Sequence, residues 1–221
     1  MGYRACIFDL DGTLTDTLSS LVFSVNETMK EIGMPQITRD QCRQFVGNGA
    51  KVLIEEALKA GGDEKLTRFE EAFEAYGRIF DANCTYQVKP YPGILEMLAQ
   101  MKERGMKLGV LSNKPDAQAV HVVSEIFGKD VFEAVQGQKE GIPRKPDPTA
   151  ALSMARQFGA RPEETLYIGD SEVDAATGKA AGMDTVLVSW GFRSKEALRA
   201  ASPNRLVDKT EEITAIIRGE E

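Results

Sequence analysis

Apolar residues fall along the chain in two periods. Five short runs, YRACIFD (3–9), KLGVLS (107–112), FEAVQ (132–136), TLYIG (165–169) and DTVLVS (184–189), read as strands. Several are apolar throughout rather than alternating, as expected of strands covered on both faces of a parallel sheet. Between them the spacing is helical. Ile94, Leu95, Leu98 and Met101 share one helix face after Pro92-Gly93. Ala151, Leu152, Ala155 and Phe158 share another, with Asp147-Pro148 as cap and first turn. The alternation predicts a doubly wound, Rossmann-like α/β domain with a parallel sheet.

One gap breaks the rhythm. Roughly 100 residues separate the first run from the second, far more than one crossover needs. Within it, Leu18, Leu21, Val22, Val25, Met29 and Ile32 keep a helical spacing, and VLIEEALKA (52–60) and FEEAFEAYGRIF (69–80) follow with Gly61-Gly62 between them. The chain returns through the stiff KPYPG (89–93). The pattern predicts an all-helical cap domain over 16–89, inserted into a core domain formed by 1–15 and 90–221.

Charge and cysteine content narrow the class. Acidic residues outnumber basic ones, 34 to 27, for a formal net charge of −7. That argues against nucleic acid as a partner, since phosphate backbones need a basic face. Cys6, Cys42 and Cys84 are odd in number and fit no metal or redox spacing, which suits a reducing compartment. No run approaches the ~20 apolar residues of a membrane span, and the first residues lack the pattern of a signal peptide. The expectation is a cytoplasmic protein with no membrane partner, acting as a monomer or homodimer.

Ligands of a doubly wound sheet sit at the carboxyl ends of its strands. Those ends carry Asp9, Asp11 and Gly12; Ser112 and Asn113; and Asp170, with Asp174 one turn on. Lys145 lies in the loop before the helix near 148–158. Asp9 and Asp11 are two residues apart at the end of a strand, so their side chains point the same way. Like charges at such separations repel by about 4 kcal/mol at an effective dielectric near 20, and two further aspartates call for a cation. All-oxygen ligands suit a hard ion, Mg2+ where phosphate is handled. The lone histidine, His121, sits in a helical stretch and reads as a surface or packing residue, so zinc is poorly supplied. An ionised aspartate needs no base to attack phosphorus, once a cation and a lysine offset the charge of the phosphate. A second carboxyl must then protonate the leaving oxygen and deprotonate water, and Asp11 is placed for this. Gly12 allows a tight turn beside the phosphate.

DLDGT (9–13), LSN (111–113), KPDP (145–148) and GDSEVD (169–174), in this order and spacing, resemble the four motifs of the haloacid dehalogenase superfamily. The resemblance spans the whole chain. It implies Asp9 as nucleophile and Asp11 as acid and base, with Ser112, Lys145 and the Asn113 backbone on the phosphate. It also implies Mg2+ on Asp9, the Asp11 carbonyl and Asp170, with Asp174 as a ligand or its support. VGNGAKVL (46–53), PYPGILEML (90–98) and GMDTVLVSWGF (182–192) further resemble the phosphoglycolate phosphatases within that superfamily. The expected reaction is Mg2+-dependent hydrolysis of a small phosphorylated metabolite, 2-phosphoglycolate foremost, through an aspartyl-phosphate. A pyrophosphatase or a β-phosphoglucomutase-like phosphomutase would use the same core. A phospho-accepting signalling domain shares the acidic cluster and lysine, but has no large insertion after its first strand.

Two segments keep alternative readings. Ser171 to Asp174 also has the spacing of a helix capping box. Gly47, Asn48 and Gly49 either shape a turn or open the helix AKVLIEEAL towards a substrate carboxylate, with Lys51 adding charge. GNGAKV lacks the third glycine of a dinucleotide fingerprint and follows a helical segment, so a nucleotide fold is not expected there.

Overall fold

A computed structural model describes residues 2–220. β1 (Ala5–Phe8) leads through the short β2 (Thr15–Asp16) into four helices, α1 (Leu18–Glu31), α2 (Arg39–Phe45), α3 (Gly49–Ala60) and α4 (Phe69–Asn83), and the chain returns through β3 (Lys89–Pro90). Then α5 (Ile94–Glu103), β4 (Lys107–Pro115), α6 (Asp116–Phe127), β5 (Ala134–Gln138), α7 (Thr149–Gln157), β6 (Thr165–Gly169), α8 (Glu172–Ala181), β7 (Asp184–Val188), α9 (Lys195–Ala200), β8 (Arg205–Val207) and α10 (Thr210–Arg218) follow.

The main sheet is parallel and runs β5-β4-β1-β6-β7-β8. β1 lies at its centre because ACIF is fully buried on both faces. Phe8 pairs with Val110 on one side and Ile168 on the other, so the strand ends carrying Asp9, Ser112 and Asp170 lie side by side. Strand order reverses about β1, which opens a crevice at that edge. β2 and β3 pair antiparallel, Thr15 with Pro90 and Asp16 with Lys89, and tie together the two chain segments that enter and leave the four helices.

Several sequence expectations shift. The sheet has six strands, not five: β8, a three-residue edge strand of sequence RLV, is too short and too polar to register as an apolar run. β5 starts two residues later than expected and is only half-buried, as an edge strand is. β4 runs on to Pro115, three residues past its expected end, with an irregular register between Leu111 and Pro115. On α5 the buried face is Ile94, Met97, Leu98 and Met101, while Leu95 points to solvent. On α7 the buried face is Ala150, Ala151, Met154 and Ala155, with Leu152 and Phe158 only partly covered. Pro148 is the cap position of α7 rather than its first turn, and the Asp147 carboxylate accepts the Thr149 N–H at 2.9 Å.

The α1 stripe behaves as its spacing predicts. Leu18, Leu21, Val25, Met29 and Ile32 are buried, with Val22 at the margin of the same cluster. They pack with Leu53, Leu58, Tyr76 and Phe80 of α3 and α4, and the cluster continues without a break to Phe8 and Ile168 in the sheet. No helix among the described residues is long and apolar enough to cross a membrane.

Candidate active site

The turn after β1 begins the site. Thr13, Leu14 and Thr15 return their N–H groups to the Leu10 carbonyl, and the Gly12 N–H reaches the Thr15 carbonyl. Gly12 sits at φ +87, and a Cβ there would lie 2.3 Å from Asp170 Oδ2. The glycine therefore serves both the turn and the room that Asp170 occupies.

Asp9, Asp170 and Asp174 are buried, and each offers a carboxylate oxygen within 4.8 Å of the others. Lys145 Nζ donates to Asp9 Oδ1 at 2.7 Å and to Asp174 Oδ1 at 2.8 Å. Asp170 Oδ2 accepts the Phe192 N–H at 2.7 Å. Asp174 Oδ2 accepts both the Ser171 hydroxyl, at 2.6 Å, and the Ser171 N–H, at 3.1 Å. The capping box forms, with Ser171 and Asp174 capping α8 reciprocally, and the same Asp174 stands in the acidic group. Gly169 makes this possible, since a Cβ there would lie 2.2 Å from Asp174 Cγ.

The electrostatics follow from burial. Desolvation pushes the Asp9 carboxyl up to about 7; Lys145 opposes the rise and the neighbouring carboxylates of Asp174 and Asp11 add to it. Burial, then Asp9 and Asp174, hold Asp170 well above the ordinary carboxylate range. Burial works against the Lys145 charge, but Asp174 and Asp9 outweigh it and hold the ammonium well above its ordinary value. Three carboxyl groups face one bridging ammonium in a water-poor space, and the raised values of Asp9 and Asp170 express the cost of ionising all three without a further cation. An all-oxygen set of this kind fits a hard divalent cation. The Asp11 carboxylate stands outside the group and pairs with Lys114 Nζ at 2.9 Å.

Ser112 and Asn113 lie on the extension of β4, beside Asp9. The Ser112 hydroxyl oxygen accepts the Lys114 N–H at 3.2 Å. The Asn113 side chain acts as a clamp: Nδ2 donates to the carbonyls of Lys145 and Gly47, both at 3.1 Å, and Oδ1 accepts the Lys145 N–H at 3.0 Å. It fixes the loop that carries Lys145 and brings the segment before α3 onto the sheet edge.

That segment is where the sequence expectation needs revision. Gly47 and Gly49 line the cavity, at φ +121 and +85, and a Cβ at Gly49 would lie 3.3 Å from the Asn113 carbonyl. Asn48 caps α3 by position without a side-chain bond, and its carbonyl accepts Arg144 Nη1 at 2.6 Å. Lys51 is not at the cavity. It is exposed, with Nζ 5.7 Å from the centre of the Phe69 ring. At ~100° per residue, a helix that turns Gly49, Ala50 and Leu53 inward turns position 51 outward.

Two basic residues at the site had no signal in the motifs. Lys114, 2% exposed at its side chain, lies over the Phe80 ring at 4.7 Å. Its strand position, two residues after Ser112, is the pattern that places it on the same face. Arg193 follows β7, donates to the Val46 and Arg43 carbonyls at 2.7 and 3.2 Å, and pairs with Glu172 at 3.1 Å. The cavity encloses about 590 Å3 of space, part of it open to solvent, between this polar floor and a roof of Leu21, Leu53, Tyr76 and Phe80. Cys84 Sγ and His121 Nδ1 meet at 3.7 Å, away from the cavity.

The family model described as haloacid dehalogenase-like hydrolase matches residues 6–188. The phosphoglycolate phosphatase of Aquifex aeolicus is 32% identical over 189 residues, covering 86% of this chain and 86% of that protein. The phosphoglycolate phosphatase of Haemophilus influenzae is 32% identical over 216 residues, covering 95% and 96%. A solved structure from Lactobacillus delbrueckii subsp. bulgaricus superposes with a TM-score of 0.91 at 31% identity, covering 98% of this chain and 99% of that one.

Proposed function

The chain belongs to the haloacid dehalogenase-like hydrolase family, and on that premise we propose that it is a Mg2+-dependent phosphatase that hydrolyses 2-phosphoglycolate through an aspartyl-phosphate at Asp9. One observation carries the reading. Asp9, at the end of the central strand, is held by Lys145 at 2.7 Å inside a group of three buried carboxylates, with Asp11 facing the same cavity.

Asp9 Oδ1 is occupied by Lys145, which leaves Oδ2 to attack phosphorus. The new Oδ2–P bond forms as the bond from phosphorus to the leaving oxygen breaks, and Asp11 gives that oxygen its proton. Asp11, now a carboxylate, takes a proton from water; the water oxygen bonds to phosphorus, the Asp9–P bond breaks, and inorganic phosphate leaves. Asp9, Asp170 and Asp174, with the Asp11 carbonyl, are the residues that would hold Mg2+, whose charge offsets the repulsion between carboxylate and phosphate. Ser112 and Lys145 bind the phosphate oxygens, and the Asn113 clamp keeps Lys145 aligned. The four helices act as a cap, spanning about 16–89, that closes over the leaving group and excludes water.

The substrate assignment draws on the two relatives named for phosphoglycolate and on a cavity suited to a small molecule. Phosphate release across a panel of phosphorylated metabolites, with pyrophosphate and hexose phosphates included, tests it. 2-Phosphoglycolate should give the highest kcat/KM, and Asp9→Asn should lose activity by orders of magnitude. Glycerol phosphate turned over as well as 2-phosphoglycolate would refute the substrate, and a near-normal Asp9→Asn would refute the mechanism.

A further inference from the structure

The roof of the cavity is mostly carbon, and a carboxylate moved against carbon loses hydration without replacement. Leu21, Leu53 and Phe80 give it no hydrogen bond, Tyr76 offers one neutral hydroxyl and no charge, and Lys51, the cation expected from the helical segment, faces solvent. Two of the three cations at the cavity are committed. Lys145 spans Asp9 and Asp174, and Arg193 is spread over Glu172 and two carbonyls. Lys114 is not. Its ammonium carries three donors, and its one hydrogen-bond partner among the described residues is Asp11, at 2.9 Å. The side chain is 2% exposed, and the Phe80 ring lies against the ammonium at 4.7 Å. A buried ammonium with a single acceptor, beside the residue that handles the leaving oxygen, keeps two donors for a further anion.

We propose that Lys114 binds the carboxylate of the leaving group and is the residue that selects an acidic leaving group over a neutral one. This rests on the phosphatase reading and assigns the selectivity to the sheet rather than to the cap. The reach is consistent. In 2-phosphoglycolate a single carbon separates the ester oxygen from the carboxylate, and at the site a single ammonium separates the Asp11 carboxylate from the roof at Phe80. With Asp11 on the ester oxygen, the neighbouring carboxylate meets the free donors of Lys114. A neutral leaving group leaves those donors buried without a partner, the situation in which a polar site rejects an analogue most strongly.

The test compares kcat/KM for 2-phosphoglycolate and for 2-hydroxyethyl phosphate, which replaces the carboxylate by a neutral group, in wild type, Lys114→Met and Lys114→Arg. Loss of the Asp11 contact slows both substrates in Lys114→Met, so the readout is their ratio. The preference for 2-phosphoglycolate should fall by about 10- to 100-fold in Lys114→Met, as loss of a charged hydrogen bond does, and Lys114→Arg should keep most of it. The KM for 2-phosphoglycolate should rise more than that for 2-hydroxyethyl phosphate. Equal losses on both substrates would reduce Lys114 to a support of Asp11 and overturn the inference. A wild-type enzyme that turns over both esters without preference would overturn the substrate assignment and the inference with it; one that turns over neither would overturn the phosphatase reading itself. A urea midpoint establishes that each variant is folded. Should Lys114→Met not fold, Lys114→Gln, which keeps a donor but no charge, carries the same comparison.

Discussion

Gly169→Ala isolates the packing that holds the acidic group together. Gly169 ends a strand, where alanine is at home in the backbone, so the cost is steric. The new Cβ would lie 2.2 Å from both Cβ and Cγ of Asp174 and 2.6 Å from Oδ2, where ordinary contact begins at 3.4 Å. Asp174 has to move by the difference, 3.4 minus 2.2, or about 1.2 Å. Its side chain is 1% exposed, and no open space receives it. Such a shift breaks the 2.6 Å bond from the Ser171 hydroxyl and the 2.8 Å bond from Lys145. A lost helix cap costs about 1 kcal/mol and a hydrogen bond to a charged group about 1.5–3 kcal/mol, so the variant should lose ~2.5–4 kcal/mol of stability. Displacing one carboxylate of the group should also weaken divalent-ion binding by at least about 10-fold. Urea unfolding in EDTA reads the first effect, and Mg2+ titration of activity the second. A stability within ~1 kcal/mol of wild type together with an unchanged Mg2+ midpoint would show that Asp174 is not held as described.

The metal-free protein should become less stable as pH rises from 5 to about 7, with Asp170, also held above its ordinary range, adding to the fall. The folded chain holds the Asp9 proton to about 7 against an ordinary 3.8, so between these values it binds more protons than the unfolded chain. At ~1.4 kcal/mol per unit the loss across pH 5–7 is about 2–3 kcal/mol; urea midpoints in EDTA should show it, more shallowly in Asp9→Asn, and a wild-type profile that is flat or rising would contradict it. Arg193→Ala should lower kcat/KM for 2-phosphoglycolate by about 10-fold, mostly through KM, because it releases the Val46 and Arg43 carbonyls from the sheet edge. Unchanged kinetics in that variant would mean the helical unit is held without it.

The gathering of the acidic residues at the floor was legible because it is local. Asp9, Asp11 and Asp170 follow buried runs whose ends a parallel sheet must align, and the burial of ACIF and TLYIG is plain from composition. What lay beyond reach depends on tertiary contact. Lys114 reads as an ordinary polar lysine until β4 is seen to continue to Pro115 and carry it under Phe80. Arg193 sits in a loop, and its partners are backbone carbonyls more than 100 residues earlier, which no side-chain pattern marks. Lys51 misled because its nearness to Gly49 in sequence does not survive the rotation of the helix. On α5, Met97 takes the buried place expected of Leu95, since either fits the spacing and packing chooses between them.

The stereochemical course at phosphorus tests the central claim most directly. Hydrolysis of a phosphorothioate ester made chiral with oxygen isotopes, in isotopically labelled water, reports how many displacements occur. Attack by Asp9 followed by attack of water inverts phosphorus twice, so the account predicts overall retention. Overall inversion would mean that water attacks the substrate directly, and Asp9 would not be a nucleophile.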